Sequence, residues 1–93
     1  RPYRVVVLSI PDWGVTPFAE DRDRKQVAEE IDVYNDICKK SAAAFKANFI
    51  NITISQRDDG NKTAFLAPDG LHPSGKEYKK WAAELADAIL KAL

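Results

Sequence analysis

The 93-residue sequence contains no methionine, one cysteine and one histidine. A chain without methionine does not start where translation starts, so Arg1 is expected to be an internal position of a longer protein. One thiol, Cys38, forms no internal disulfide and offers no paired-cysteine zinc spacing, which leaves it the role of a small apolar helix residue. Net charge is also missing: 14 Lys and Arg stand against 14 Asp and Glu. The basic footprint that nucleic acid or an anionic membrane requires is therefore absent. No apolar run approaches the roughly 18 residues of a membrane span. At 45% hydrophobic and 30% charged, the composition is that of a folded globular chain rather than a disordered one. The length suits one small domain or part of a larger one.

What is present has a clear order. RVVVLSIP (4–11) is a continuous β-branched run stopped by a proline, the pattern of a strand buried on both faces. DWGVTPFAE follows as a loop carrying Trp13 and Phe18. From about Asp21 to Asn48 apolar residues recur with helical period. Val27, Ile31, Tyr34, Ile37, Cys38, Ser41 and Phe45 fall on one stripe, with Asp21 and Asp23 near its start and Lys39, Lys40 and Lys46 toward its end. FINITIS (49–55) alternates and is β-branched, so a second strand is expected. QRDDGNKTA reads as a polar connection. Ser74 and Glu77 then have capping-box spacing at the start of a last helix, with Tyr78, Trp81, Ala82, Leu85, Ile89 and Leu93 on its apolar face.

This order predicts an α/β layer with parallel strands at about 4–10 and 49–55 and helices at about 21–48 and 74–92. Two parallel strands alone leave an open apolar edge. The first strand is therefore expected to pair with a further strand lying outside these residues.

Near the C-terminal end, DGLHPSGKEYKKWA (69–82) puts the single histidine three places after Asp69, just ahead of a helix. A histidine base needs a nucleophile on one ring nitrogen and an orienting carboxylate on the other. Asp69 and His72 supply the second half of that arrangement, although the spacing alone fits a structural turn as well. The serines are poorly placed for the first half. Ser9 lies in a buried strand, Ser41 in mid-helix, Ser55 at the end of the second strand, and Ser74 is occupied as a cap, whereas a nucleophile has to project from a sharp turn. A metal site built from Asp69, His72 and Asp58 or Asp59 lacks any repeat spacing, so no metal is expected.

Two stretches together resemble one family. DGLHPSGKEYKKWA is similar to the last conserved block of the SGNH hydrolases, the GDSL-type lipases and esterases, where D-x-x-H-P supplies the triad acid and base. VVVLSIPDWGVTPFA is similar to the family's penultimate core strand and the loop after it. The resemblance covers essentially the whole chain. It implies a three-layer α/β/α, flavodoxin-like fold with a five-stranded parallel sheet, of which residues 1–93 form a single partial domain, the C-terminal half.

It also implies a serine ester hydrolase that uses no cofactor, with His72 as general base and then acid and Asp69 as its orienting partner. The family's GDS and G-x-N-D blocks are absent. The chain alone is therefore expected to be inactive, its substrate an ester and its partner the missing N-terminal part of the same domain. Trp13 and Phe18, on the loop at the active-site end of a parallel sheet, are candidate substrate-binding residues. The alternative is a non-enzymatic module that buries its open edge against a second copy of this chain. Neither reading involves nucleic acid or a membrane span.

Overall fold

The computed structural model describes Pro2 and residues 4–92. Strand β1 (Val6–Leu8) leads into two single-turn 3-10 segments at Trp13–Val15 and Pro17–Ala19. Helix α1 (Arg24–Ala44), strand β2 (Asn48–Ile50) and helix α2 (Thr53–Asp59) follow. A third 3-10 turn (Thr63–Phe65) then precedes helix α3 (Gly75–Ala92). β1 and β2 pair in parallel, Val6 opposite Asn48, Val7 opposite Phe49 and Leu8 opposite Ile50. The α/β order and the parallel pairing agree with expectation. No helix among the described residues is long and apolar enough to cross a membrane.

The expected strand at 49–55 is corrected: it ends at Ile50, and Thr53 opens a helix instead. Two side chains cause the change. The Asn51 carboxamide oxygen accepts the N–H groups of Thr53 at 3.0 Å and Ile54 at 3.4 Å, taking over donors that a helix start leaves free. Ser9, just past β1 and buried, accepts the N–H groups of Ile52 at 2.8 Å and Thr53 at 3.1 Å. Ser55 consequently lies inside α2, not at a strand end.

α1 begins on Asp23, whose carboxylate accepts the Gln26 N–H at 3.1 Å. It ends where Lys46 adopts φ 55° and the Ala47 N–H turns back to the Ala42 carbonyl at 2.8 Å. The apolar stripe expected on this helix is only partly buried. Ile31, Asn35 and Ala42 are the buried positions, while Tyr34, Ile37 and Phe45 stand exposed. A two-stranded sheet is too narrow to cover the whole stripe. On α3 Trp81 is buried but Tyr78 and Ile89 are exposed, and Leu93 lies outside the described residues.

The interior is polar as well as apolar. Ala19, Ile31, Ala42, Ile52 and Trp81 are buried together with Ser9, Asp12, Thr16, Asn35, Thr53, Gln56 and Glu77. Buried polar groups persist only when bonded, and two of these bind the backbone just after β1. Asn35 accepts the Ile10 N–H at 2.7 Å and donates to Thr53 Oγ1 at 3.1 Å, while Thr53 Oγ1 donates to the Ile10 carbonyl at 2.7 Å. α1 and α2 are thus fastened to one short stretch of backbone.

Replacing Ser9 by Ala leaves two N–H groups of the α2 start without their hydroxyl acceptor. Ser9→Ala is expected to lower stability by about 2 kcal/mol in urea unfolding. The exposed Ser41→Ala control should change it by less than about 0.5 kcal/mol.

Candidate active site

The turn between Ala67 and His72 is built around one carboxylate. Asp69 Oδ1 accepts the N–H groups of Leu71 and His72, each at 2.9 Å, an Asx turn that folds the chain onto its own side chain. Its other oxygen, Oδ2, meets His72 Nδ1. Gly70 adopts φ 69° at the tip, a conformation that a Cβ would strain. The Ala67 N–H donates to the His72 carbonyl at 2.8 Å and closes the turn. His72, and then the two N–H groups, hold the Asp69 carboxyl well below the usual range, at about 2. With Nδ1 engaged, Nε2 is the ring nitrogen left for chemistry.

A partly buried ion pair holds the loop beside this turn. Asp12 is 1% exposed, and its Oδ1 accepts the Gly14 N–H at 2.8 Å while Oδ2 accepts from Arg57 Nε at 2.8 Å. Arg57 also reaches Asp32 on α1 at 2.9 Å. The Gln56 side chain accepts the Asp12 N–H at 2.7 Å and donates to its carbonyl at 3.0 Å. Gly14 sits so close to Val27 and to Asp12 Oδ1 that a Cβ would clash with both. From this anchored loop the Phe18 N–H donates to the Gly70 carbonyl at 3.2 Å, which ties the loop to the histidine turn.

Between loop and turn lies a cavity of about 440 Å³, within the range of small-molecule sites. Ile10, Pro11, Phe18, Leu66 and Leu71 give it apolar walls, and Trp13, Thr16, Gln56, His72 and Glu77 are its hydrogen-bonding side chains. The sequence-predicted residues Trp13, Phe18 and His72 are therefore brought to one space, with Asp69 directly behind the histidine.

A family model, GDSL-like Lipase/Acylhydrolase, matches residues 3–85. The chain belongs to this family. No curated protein and no solved structure matches the chain.

The four serines of this GDSL-like hydrolase domain are committed elsewhere or distant in the chain. Ser9 is buried under the start of α2, Ser55 lies in α2 with its carbonyl accepting from Lys80 at 3.0 Å, and Ser41 is exposed on α1. Ser74 donates its hydroxyl to the Ala64 carbonyl at 2.8 Å. Among the described residues no serine hydroxyl bonds to His72. Asp59, once a candidate metal ligand, is held by Lys62 at 2.7 Å and Lys80 at 2.9 Å, and these two ammonium groups keep its carboxyl below the usual range.

The expected capping box is also corrected. The Ser74 N–H donates to the Phe65 carbonyl at 3.0 Å and its hydroxyl to Ala64, so Glu77 has no cap to complete. Its side chain turns inward instead, is 2% exposed and stands in the cavity wall. Sequence reading missed this role, and it missed the Asp12, Gln56 and Arg57 anchor. The face that carries the anchor emerges only with the fold: Ile52, Gln56 and Gly60 are buried at every fourth residue, the period of a helix face, but they form no apolar pattern in the sequence.

Carboxyl NMR should find Asp69 titrating near pH 2. In His72→Ala its midpoint should rise toward 3.8, because the largest cause of the depression is gone. The sign follows from linkage. A carboxyl depressed on folding stabilises the folded turn above its ordinary value and loses that contribution as pH falls through about 2. An unchanged midpoint in the variant would mean that the imidazole does not control the carboxylate.

Proposed function

We propose that this chain supplies the base and its orienting acid to a serine ester hydrolase, as the C-terminal half of a three-layer α/β/α domain. The reading rests on one observation: the Asp69 carboxylate engages Nδ1 of a histidine that lines an apolar cavity. In that role the Nε2 of His72 takes the proton from a serine hydroxyl as its oxygen attacks the ester carbonyl. The same proton then passes to the departing alkoxide when the acyl–oxygen bond breaks. Water repeats both transfers to free the acid. Asp69 holds the ring in the tautomer with Nδ1–H and stabilises the imidazolium.

The serine and the oxyanion donors come from residues outside this chain, and without them the chain is inactive. Exposed Val5, Val33, Tyr34, Ile37, Phe45 and Ile54 support a domain that extends further, because a free-standing domain rarely leaves so much apolar surface open. Trp13 and Phe18 contact the substrate from the cavity wall.

In the intact protein, His72→Ala should abolish nearly all turnover of a short-chain p-nitrophenyl ester. Asp69→Asn should lower kcat by roughly 10⁴ with the fold retained. Full activity in either variant would overturn the assignment.

The unpaired edge of β1 supports a second reading, a module that associates through it. β1 pairs only with β2 among the described residues, and exposed apolar strands of this kind pair with other chains. Light scattering of the chain alone should detect association that rises with concentration. A stable monomer at high concentration would remove this reading.

A further inference from the structure

Of the five hydrogen-bonding side chains in the cavity wall, four are engaged elsewhere. Thr16 Oγ1 donates to the Trp13 carbonyl at 2.6 Å, and Gln56 uses its carboxamide on both backbone groups of Asp12. Glu77 pairs with the Lys80 ammonium at 3.1 Å, and both of its oxygens are sealed from the cavity. His72 is assigned to the chemistry. Trp13 is different. It lines the cavity and is half-buried, and its Nε1–H has no hydrogen-bond partner among the described residues. Trp81 Nε1 also lacks a partner but is sealed in the interior, whereas Trp13 Nε1 remains accessible.

The backbone that carries this indole is held on both sides. Asp12 Oδ1 accepts the Gly14 N–H at 2.8 Å, and the Trp13 carbonyl accepts the Thr16 N–H at 3.1 Å as well as its hydroxyl. A donor on an anchored turn gives up little freedom when it binds. An indole N–H donates and does not accept, so its partner has to be an acceptor. Among the described residues no Lys or Arg lines the cavity. An anion entering it would therefore exchange its water for one neutral donor, at a high cost. The apolar walls suit instead a molecule that is apolar apart from a neutral oxygen.

We propose that Trp13 is a specificity-determining residue, presenting its indole N–H to the cavity and donating to a neutral ether or carbonyl oxygen that the substrate carries in addition to its ester group. The substrate class is then esters with a further oxygen in the chain rather than plain alkyl ones. This inference rests on the reading of the cavity as the substrate's own pocket.

The test is a binding measurement on the intact protein, so its outcome is independent of whether His72 is the base. Three amides of matched chain length are titrated in while the indole N–H resonances are followed. They are 4-methoxybutanamide, hexanamide, which has a methylene in place of the ether oxygen, and 5-aminopentanamide, which ends in an ammonium. The Trp13 resonance should move downfield with 4-methoxybutanamide and not with hexanamide, while that of the sealed Trp81 stays in place. In Trp13→Phe the affinity for the ether relative to hexanamide should fall roughly fivefold, the effect of one neutral hydrogen bond. His72→Ala should leave that ratio intact. The proposal is overturned if hexanamide moves the Trp13 resonance as the ether does, which would put the N–H on the shared carbonyl, or if neither moves it. Both results come from the wild-type protein and need no variant to fold. It is equally overturned if the ammonium binds best, or if the ratio is unchanged in Trp13→Phe.

Discussion

A carboxylate sealed away from water has to be met by its surroundings, and in this protein that requirement falls on Asp12. Its partners come from two places in the chain, the Gly14 N–H two residues on and Arg57 on α2, and through Arg57 it reaches the Asp32 carboxylate of α1. Gln56 on α2 binds the same residue's main-chain N–H and carbonyl. Satisfying one charge therefore joins both helices to the loop that follows β1. Losing Arg57 would strand the Asp12 charge in the interior, a far larger penalty than the pair's net contribution. The loop is consequently fixed in place, and its Phe18 N–H meets the Gly70 carbonyl of the histidine turn.

The parts of this architecture that sequence reveals are those whose causes are local. That Asp69 and His72 meet was legible because an aspartate three residues before a histidine can close an Asx turn by itself, whereas the role expected of them came from the resemblance of D-x-x-H-P to a family block. β1 was legible because its β-branched run needs no partner to be recognised. α2 was misread because its start is organised by Ser9, more than forty residues away, and local alternation in FINITIS carries no trace of that hydroxyl. Glu77 was misread for the converse reason. Its spacing from Ser74 matches a local motif, but the carbonyls of Ala64 and Phe65 claim Ser74 first.

The interior serves placement as much as cohesion. Among the described residues seven of the buried side chains are polar or charged, and six of them hydrogen-bond to neighbouring structure, five of these to the backbone just after β1 or of the loop that follows. Apolar packing is roughly indifferent to direction, whereas hydrogen bonds fix both distance and angle. A small core with many directed contacts can thus hold the loop and the turn at a defined separation. The cavity between them is the space that this separation leaves, and family membership gives that space a hydrolytic context.

The turn that carries Asp69 and His72 is closed by main-chain bonds, Ala67 N–H to His72 carbonyl and Gly70 N–H to Ala67 carbonyl, and is tied to the loop after β1 by another, Phe18 N–H to Gly70 carbonyl. Main-chain groups are the same whatever the side chain. Mutation can therefore exchange Trp13, Phe18 or Leu71 for residues of other size and shape while Asp69 and His72 keep their relative position. A scaffold wired in this way lets selection reshape the cavity wall step by step without dismantling the turn behind it.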